Sequence, residues 1–106
     1  MSGIRLAVPN SAQKGESVEV KALLQHDMES GYRRGSRGQL IPRDIITRFE
    51  CSYNGERVFA ADFGPGIAAN PYISFYIRAV ESGPLVFTWT DQDGETCQDS
   101  KRLEVI

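Results

Sequence analysis

The feature that most constrains this chain is an alternation of apolar and polar residues with period two, which returns along nearly its whole length. A period of two is the mark of a strand with one face buried, because successive side chains of a strand point to opposite sides. Ile4, Leu6 and Val8 alternate with Arg5 and Ala7 before Pro9-Asn10 ends the run. Val18, Val20 and Ala22 alternate with Glu19 and Lys21 and lead into Leu23 and Leu24. A third run covers about residues 44–53, with Ile45, Phe49, Cys51 and Tyr53 on one face and Arg48, Glu50 and Ser52 on the other. Arg57 to Phe63 reads as a fourth strand and Tyr72 to Ala79, aromatic and β-branched throughout, as a fifth. In the sixth, Leu85, Phe87 and Trp89 share a face opposite Thr88 and Thr90, and the seventh runs from about Glu95 to Val105. No run has helical periodicity.

The turns between these runs carry their own chemistry. Asn54-Gly55 is a strong hairpin signal, since a type I′ turn needs positive φ at both central residues. Ser82-Gly83-Pro84 and Asp93-Gly94 mark two further turns, and the Pro/Gly-rich stretch at 64–71 predicts a shaped, irregular loop. Seven short strands at regular spacing predict an all-β fold, a seven-stranded antiparallel immunoglobulin-like β-sandwich with Phe87 and Trp89 in its core. One stretch breaks the rhythm: residues 25–43 are long for a loop in a compact domain, and such loops are usually functional or disordered.

Composition narrows the function. A chain of 106 residues fits one domain. Its 12 Lys and Arg against 14 Asp and Glu give no overall basic field of the kind a nucleic-acid binder carries. No run reaches the ~18 apolar residues of a membrane helix, and the first residues lack the pattern of a secretory signal. One histidine and two cysteines cannot supply the roughly four Cys or His ligands of a structural zinc site. No cofactor is implied. The iron domains of superoxide-reducing proteins share the sandwich architecture but need several histidines. A Cys–His nucleophile pair, Cys51 or Cys97 with His26, is the one enzymatic arrangement the counts leave.

Three features stay open on the residues alone. Arg33, Arg34, Arg37 and Arg43 stand in the long loop with no acid between Ser30 and Asp44. They fit a solvated loop, a protein interface that pairs with carboxylates, or an anion or nucleic-acid site. His26 and Met28 have a spacing that suits copper ligation as well as ordinary packing of Met28 at a strand end. The third and seventh strands, if both flank the sixth, place Cys51 and Cys97 near opposite ends of a sheet, which predicts two separate thiols because a bridge needs Cα atoms within ~7 Å. On this reading Cys51 is buried and Cys97 exposed.

Three blocks of residues, in order, resemble the SoxZ family of bacterial sulfur oxidation. The first is His26-Asp27-Met28-Glu29-Ser30-Gly31 with Arg33 and the later Gly38-Gln39-Leu40-Ile41-Pro42. The second is Phe63-Gly64-Pro65, through Ala68 and Ala69, to Asn70-Pro71-Tyr72. The third is Thr88-Trp89 with Asp91 and Gly94. Phe63 departs from a position where the family commonly has Trp, and the two cysteines are not a family feature. The resemblance spans nearly the whole chain and implies one SoxZ-like immunoglobulin-like domain over residues 1–106.

What the resemblance implies is a non-catalytic subunit. Such proteins pair with SoxY to form the SoxYZ carrier of thiosulfate-derived sulfur intermediates, which SoxY bears on a cysteine of a flexible, glycine-rich C-terminal arm. SoxZ-type chains are expected in the periplasm, exported bound to SoxY. Here neither FECSY nor ETCQD has glycine beside its cysteine, so this chain resembles the partner rather than the carrier. Met28, Glu29, Pro65 and Tyr72 are the expected contacts to SoxY. Arg33, Arg34 and Arg37 are the expected contacts to other Sox enzymes, with no part for nucleic acid or membrane. A generic immunoglobulin-like binding module without a sulfur role is the competing account.

Overall fold

The computed structural model describes residues 3–28, 31, 32, 34–40, 43–64 and 70–106. Its strands are β1 (Ile4–Ala7), β2 (Ser11–Ala12), β3 (Ser17–Leu24), β4 (Ile46–Tyr53), β5 (Glu56–Asp62), β6 (Tyr72–Arg78), β7 (Gly83–Asp91) and β8 (Thr96–Val105). They form a three-stranded sheet in the order β1-β3-β6 and a five-stranded sheet in the order β2-β8-β7-β4-β5. No helix occurs among the described residues. The protein is an immunoglobulin-like β-sandwich.

The expected count of seven strands becomes eight. After Pro9-Asn10 the chain crosses to the other sheet, where Ser11–Ala12 pairs parallel with Glu104 and Val105 of β8. Proline supplies no N–H to a ladder, so the first strand breaks there and resumes on the opposite layer. Two residues carry no readable period, which is why alternation alone passes over β2, and this pairing makes the sandwich not wholly antiparallel.

Elsewhere the alternation lands where the sequence predicts. Val18, Val20, Ala22 and Leu24 of β3 face Phe49, Cys51 and Tyr53 of β4 and Leu85, Phe87 and Trp89 of β7 as one buried core. Phe49 is its hub, with its ring centroid 4.9 Å from Trp89 and 6.1 Å from both Phe59 and Phe75. Burying each such ring is worth about 1.5–3 kcal/mol. The indole N–H of Trp89 has no hydrogen-bond partner among the described residues, a cost of about 1–3 kcal/mol that the surrounding packing must exceed. At one side of the sandwich Phe59 of β5 stacks on Phe75 of β6, centroids 4.4 Å apart and rings inclined by 7°. That contact brings the free edges of the two sheets together.

The turns follow their residues. Asn54 and Gly55 both adopt positive φ, 52° and 83°, as the β4–β5 hairpin requires. The β7–β8 hairpin is wider: Asp91 N–H donates to the carbonyl of Glu95, and Gly94 takes φ of 84°.

The cysteines correct one step of the sequence argument. Cys51 pairs with Phe87 and Cys97 with Trp89, so both stand within two residues of the same level of β7 and on its inner side. They are not near opposite ends of the sheet. Both are nonetheless free thiols, because β7 lies between them and two strand spacings of ~4.8 Å exceed the reach of a disulfide. Cys97 is half-buried against the core rather than exposed, since its register with Trp89 turns it inward.

Candidate partner-binding surface

At one end of the sandwich the long loop and the Gly-Pro loop are tied to each other through their backbones. His26 N–H donates to the Asn70 side-chain oxygen at 2.9 Å, and Asn70 N–H donates to the His26 carbonyl at 2.6 Å. Asn70 sits at φ 55°, a left-handed conformation that asparagine tolerates better than most residues. The next rung is Leu24 N–H to the carbonyl of Pro71, 3.2 Å, which seats the start of β6 beside β3.

The imidazole of His26 works inside the same joint. Its Nδ1 accepts the N–H of Met28 at 2.9 Å, while Nε2 stands 3.6 Å from the Asp44 carboxylate. An accepting Nδ1 places the proton of the neutral ring on Nε2, toward Asp44. Met28 takes φ 54°, and its sulfur accepts the N–H of Ile46 at 3.3 Å. The His-x-Met spacing is therefore met by packing: the unprotonated ring nitrogen and the thioether are each held by a backbone N–H. Among the described residues no group of three or more His, Cys, Asp or Glu is placed to hold a metal ion.

The third motif block acts in the same way. Asp91 is buried, and its carboxylate accepts the N–H groups of Asp93 and Glu95, each at 2.9 Å, which fixes the β7–β8 turn. Beside it Gln92 latches the exit of the long loop: its N–H donates to the Ile45 carbonyl, and its side-chain amide donates to the carbonyl of Arg43 at 2.7 Å.

The expected contact residues divide into three groups. Glu29, Arg33 and Pro65 lie outside the described residues. Met28 is 6% exposed, so it stands behind the surface as a plug and shapes the loop above it. Arg34, Arg37 and Tyr72 are exposed. Arg34 and Leu40 bridge a small hairpin in which Gly35 N–H donates to Gln39 O, and the Arg34 guanidinium donates to the Gly38 carbonyl at 2.8 Å. Part of what reads as irregular loop is therefore closed on itself, with Arg37 and Arg43 exposed.

Of the two thiols, Cys51 is buried and Cys97 half-buried. Burial pushes Cys51 up to about 12, so it is a neutral thiol at physiological pH. It lies five residues along β4 from Ile46, ~17 Å at the usual strand rise, while Ile46 touches Met28 beside His26. The arrangement does not assemble a Cys51–His26 pair. Cys97 is fixed on β8, and the strand continues to Val105, with Ile106 bonded to Ala12 and Lys14.

The other side of the sandwich carries a second exposed surface, with no motif in the sequence to mark it. Tyr76 of β6, Val58 of β5 and Val80 are exposed around a groove of about 480 Å³ between the ends of β5 and β6. The signal is in the fifth predicted strand: Tyr72 and Tyr76 alternate with Ile73, Phe75 and Ile77, so both faces carry apolar surface although only one can face the core.

No membrane-crossing helix occurs among the described residues. Comparison with curated protein sequences gives no match. Among solved structures the chain is similar to a superoxide reductase (neelaredoxin) from Ignicoccus hospitalis, at 16% identity and a TM-score of 0.75 over 99% of this chain and 81% of that one. A putative superoxide reductase from Thermotoga maritima is similar at 12% identity and 0.72, over 97% and 85%. The sulfur carrier protein SoxY from Chlorobium limicola f thiosulfatophilum is similar at 16% and 0.70, over 100% and 81%. Identities this low establish a shared fold and nothing more. Residues 4–102 match the family described as sulphur oxidation protein SoxZ, His26, Met28, Asn70 and Asp91 of the resembling blocks brace this sandwich, and the chain belongs to the SoxZ family.

Proposed function

We propose that this chain is the non-catalytic subunit that binds a SoxY-type carrier and forms with it the SoxYZ carrier of covalently bound sulfur intermediates in thiosulfate oxidation. Its place of work on this reading is the periplasm, reached together with SoxY. The observation that carries the reading is the family match over residues 4–102. The placement of the thiols supports it: a carrier arm must enter several active sites on a flexible segment, whereas Cys51 and Cys97 are held on the strands β4 and β8.

Three contributions follow. The sandwich covers an apolar face of SoxY, an interface on the order of 1,200–2,000 Å² in complexes of this kind. It holds the root of the carrier arm in one orientation. Its arginine hairpin, with Arg34 and Arg37 exposed, meets carboxylates on the Sox enzymes that process the cargo. The test is co-expression with a SoxY-type subunit, followed by light scattering on the size-separated product. A stable one-to-one complex is expected, with sulfur loading of the arm cysteine dependent on this chain. Two folded proteins that never associate would overturn the reading and leave a generic immunoglobulin-like binding module as the better account.

A further inference from the structure

A sandwich that is not a closed barrel has free sheet edges, and soluble proteins protect them with shortness, charge, proline or bulges. Most edges here are protected in that way. β1 has four residues and β2 two. β5 is bulged against β4 at Cys51/Ser52 and carries Glu56, Arg57 and Asp62. The stretch of β8 beyond β2 carries Asp99, Lys101 and Arg102. β6 is the exception among the described strands. It runs seven residues, YISFYIR, pairs with β3 alone, and has no proline, no lysine and no register shift.

The phase of the β3–β6 ladder shows what this edge offers. Leu24 donates to the carbonyl of Pro71, and Ala79 donates to the carbonyl of Glu16 at 2.9 Å. Rungs alternate in an antiparallel pair, so Ile73, Phe75 and Ile77 spend their N–H and C=O groups on β3. Tyr72, Ser74, Tyr76 and Arg78 turn theirs to the open side. The same four residues direct their side chains to the outer face of the sheet, where Tyr72 is 54% and Tyr76 66% exposed. Val58 and Val80 flank the groove beside this edge. Of the seven large apolar side chains exposed among the described residues, Tyr76, Val58 and Val80 gather at this groove, with the Tyr76 hydroxyl bonded to Glu19 of β3, while Tyr72 lies at the other end of the strand beside Arg5, Leu6 and Leu23. An exposed tyrosine flanked by apolar side chains is a feature enriched at interfaces.

We propose that the free edge of β6 receives an extended strand of the SoxY-type subunit, which adds to the three-stranded sheet and lays side chains into the groove between β5 and β6. The inference rests on the reading of this chain as the SoxY partner and names the surface that reading lacks. Strand addition draws affinity from main-chain hydrogen bonds and specificity from pockets for alternate side chains, and both are present here side by side. The partner suits the site, because SoxY of Chlorobium limicola shares this fold over the whole length of the present chain and so also ends its sheets in edge strands. The Asn70–His26 joint seats the first residue of the edge, which gives the motif-bearing loops a mechanical role in the same contact.

Amide hydrogen exchange on the full chain, alone and bound to a SoxY-type subunit, tests this directly. The N–H groups of Tyr72, Ser74, Tyr76 and Arg78 are expected to exchange quickly in the free chain and to slow at least tenfold in the complex. Ser74→Pro removes one edge donor and is expected to weaken binding about tenfold or more, while Ser74→Ala, which keeps the N–H, leaves it within a factor of about two. A complex that forms with these amides exchanging as in the free chain overturns the edge assignment and leaves the SoxY partnership intact. Protection in the isolated chain that rises with concentration, and that SoxY does not displace, shows that the occupant is a second copy and also overturns it. Failure of two folded proteins to associate overturns both readings together.

Discussion

His26 and Asn70, 44 residues apart in sequence, hold each other through a reciprocal pair of bonds, backbone N–H to side-chain oxygen at 2.9 Å and backbone N–H to carbonyl at 2.6 Å. The pair ties the long loop to the entry of β6. Asn70 contributes both a side-chain acceptor and a left-handed backbone. Asn70→Gly keeps the backbone accessible and loses the acceptor, at an expected cost of about 1 kcal/mol in urea unfolding. Asn70→Ala adds the strain of positive φ and is expected to cost about 1 kcal/mol more. Equal losses for the two variants would show that the backbone conformation carries no cost.

Tyr53 closes the other end of the same side. Its hydroxyl accepts the N–H groups of Val80 and Glu81, each at 3.2 Å, and donates to the Glu81 carbonyl. Tyr53→Phe preserves the buried ring and leaves those groups to find water, and about 1–3 kcal/mol of stability is expected to go. Thermal unfolding measures the loss. Faster amide exchange at Val80 and Glu81 should accompany it.

The thiols should separate chemically. In the folded protein Cys97 reacts with a maleimide and Cys51 only on unfolding, as counted by mass spectrometry. The pH dependence has a defined sign. The folded Cys51 is raised to about 12 from an ordinary value of 9.0, so above pH 9 the unfolded state releases its proton first and gains stability relative to the folded one. Stability is unaffected by this group below pH 9 and falls as pH rises from there toward 12. Cys51→Ala, though less stable from the cavity it leaves, should show a shallower decline over that window. Parallel curves for the two proteins would refute the assignment.

The role proposed for Arg33, Arg34 and Arg37 predicts an effect on turnover rather than on folding. Replacing all three by Ala should leave unfolding within about 0.5 kcal/mol, bind SoxY as before, and slow the encounter of the complex with the Sox enzymes. The effect should be largest at low salt, because exposed pairs are screened over ~10 Å at 0.1 M. Unchanged turnover at low ionic strength counts against the role.

Arg48 links three strands of the outer face, bonding Glu50 of its own strand at 2.6 Å and Asp62 of β5 at 2.7 Å, with Thr90 of β7 as its ladder partner. Arg48→Ala breaks one pair within β4 and one to β5, both with solvent-exposed acids, and only about 0–1 kcal/mol is expected to be lost. Chemical denaturation would show whether the network is worth more than its exposure suggests.

The alternation by itself determined the sandwich, its inner face and the hairpin at Asn54-Gly55, because one buried face and two positive-φ residues leave a local trace in residue types. The motif blocks likewise identified the family. Their work was not legible: His26 and Met28 read as copper ligands or as packing, and Asn70 and Asp91 only as motif residues, yet all four serve as braces, since each bonds to a backbone group whose position depends on how distant strands are stacked. β2 left no trace because two residues have no period. The level of the cysteines escaped for a related reason, as register is set by the whole ladder between β4, β7 and β8. Only the tertiary structure decided that β6 is a long edge with its tyrosines outward, because an edge is defined by the absence of a neighbour, and which strand lacks one depends on the pairing of all the others.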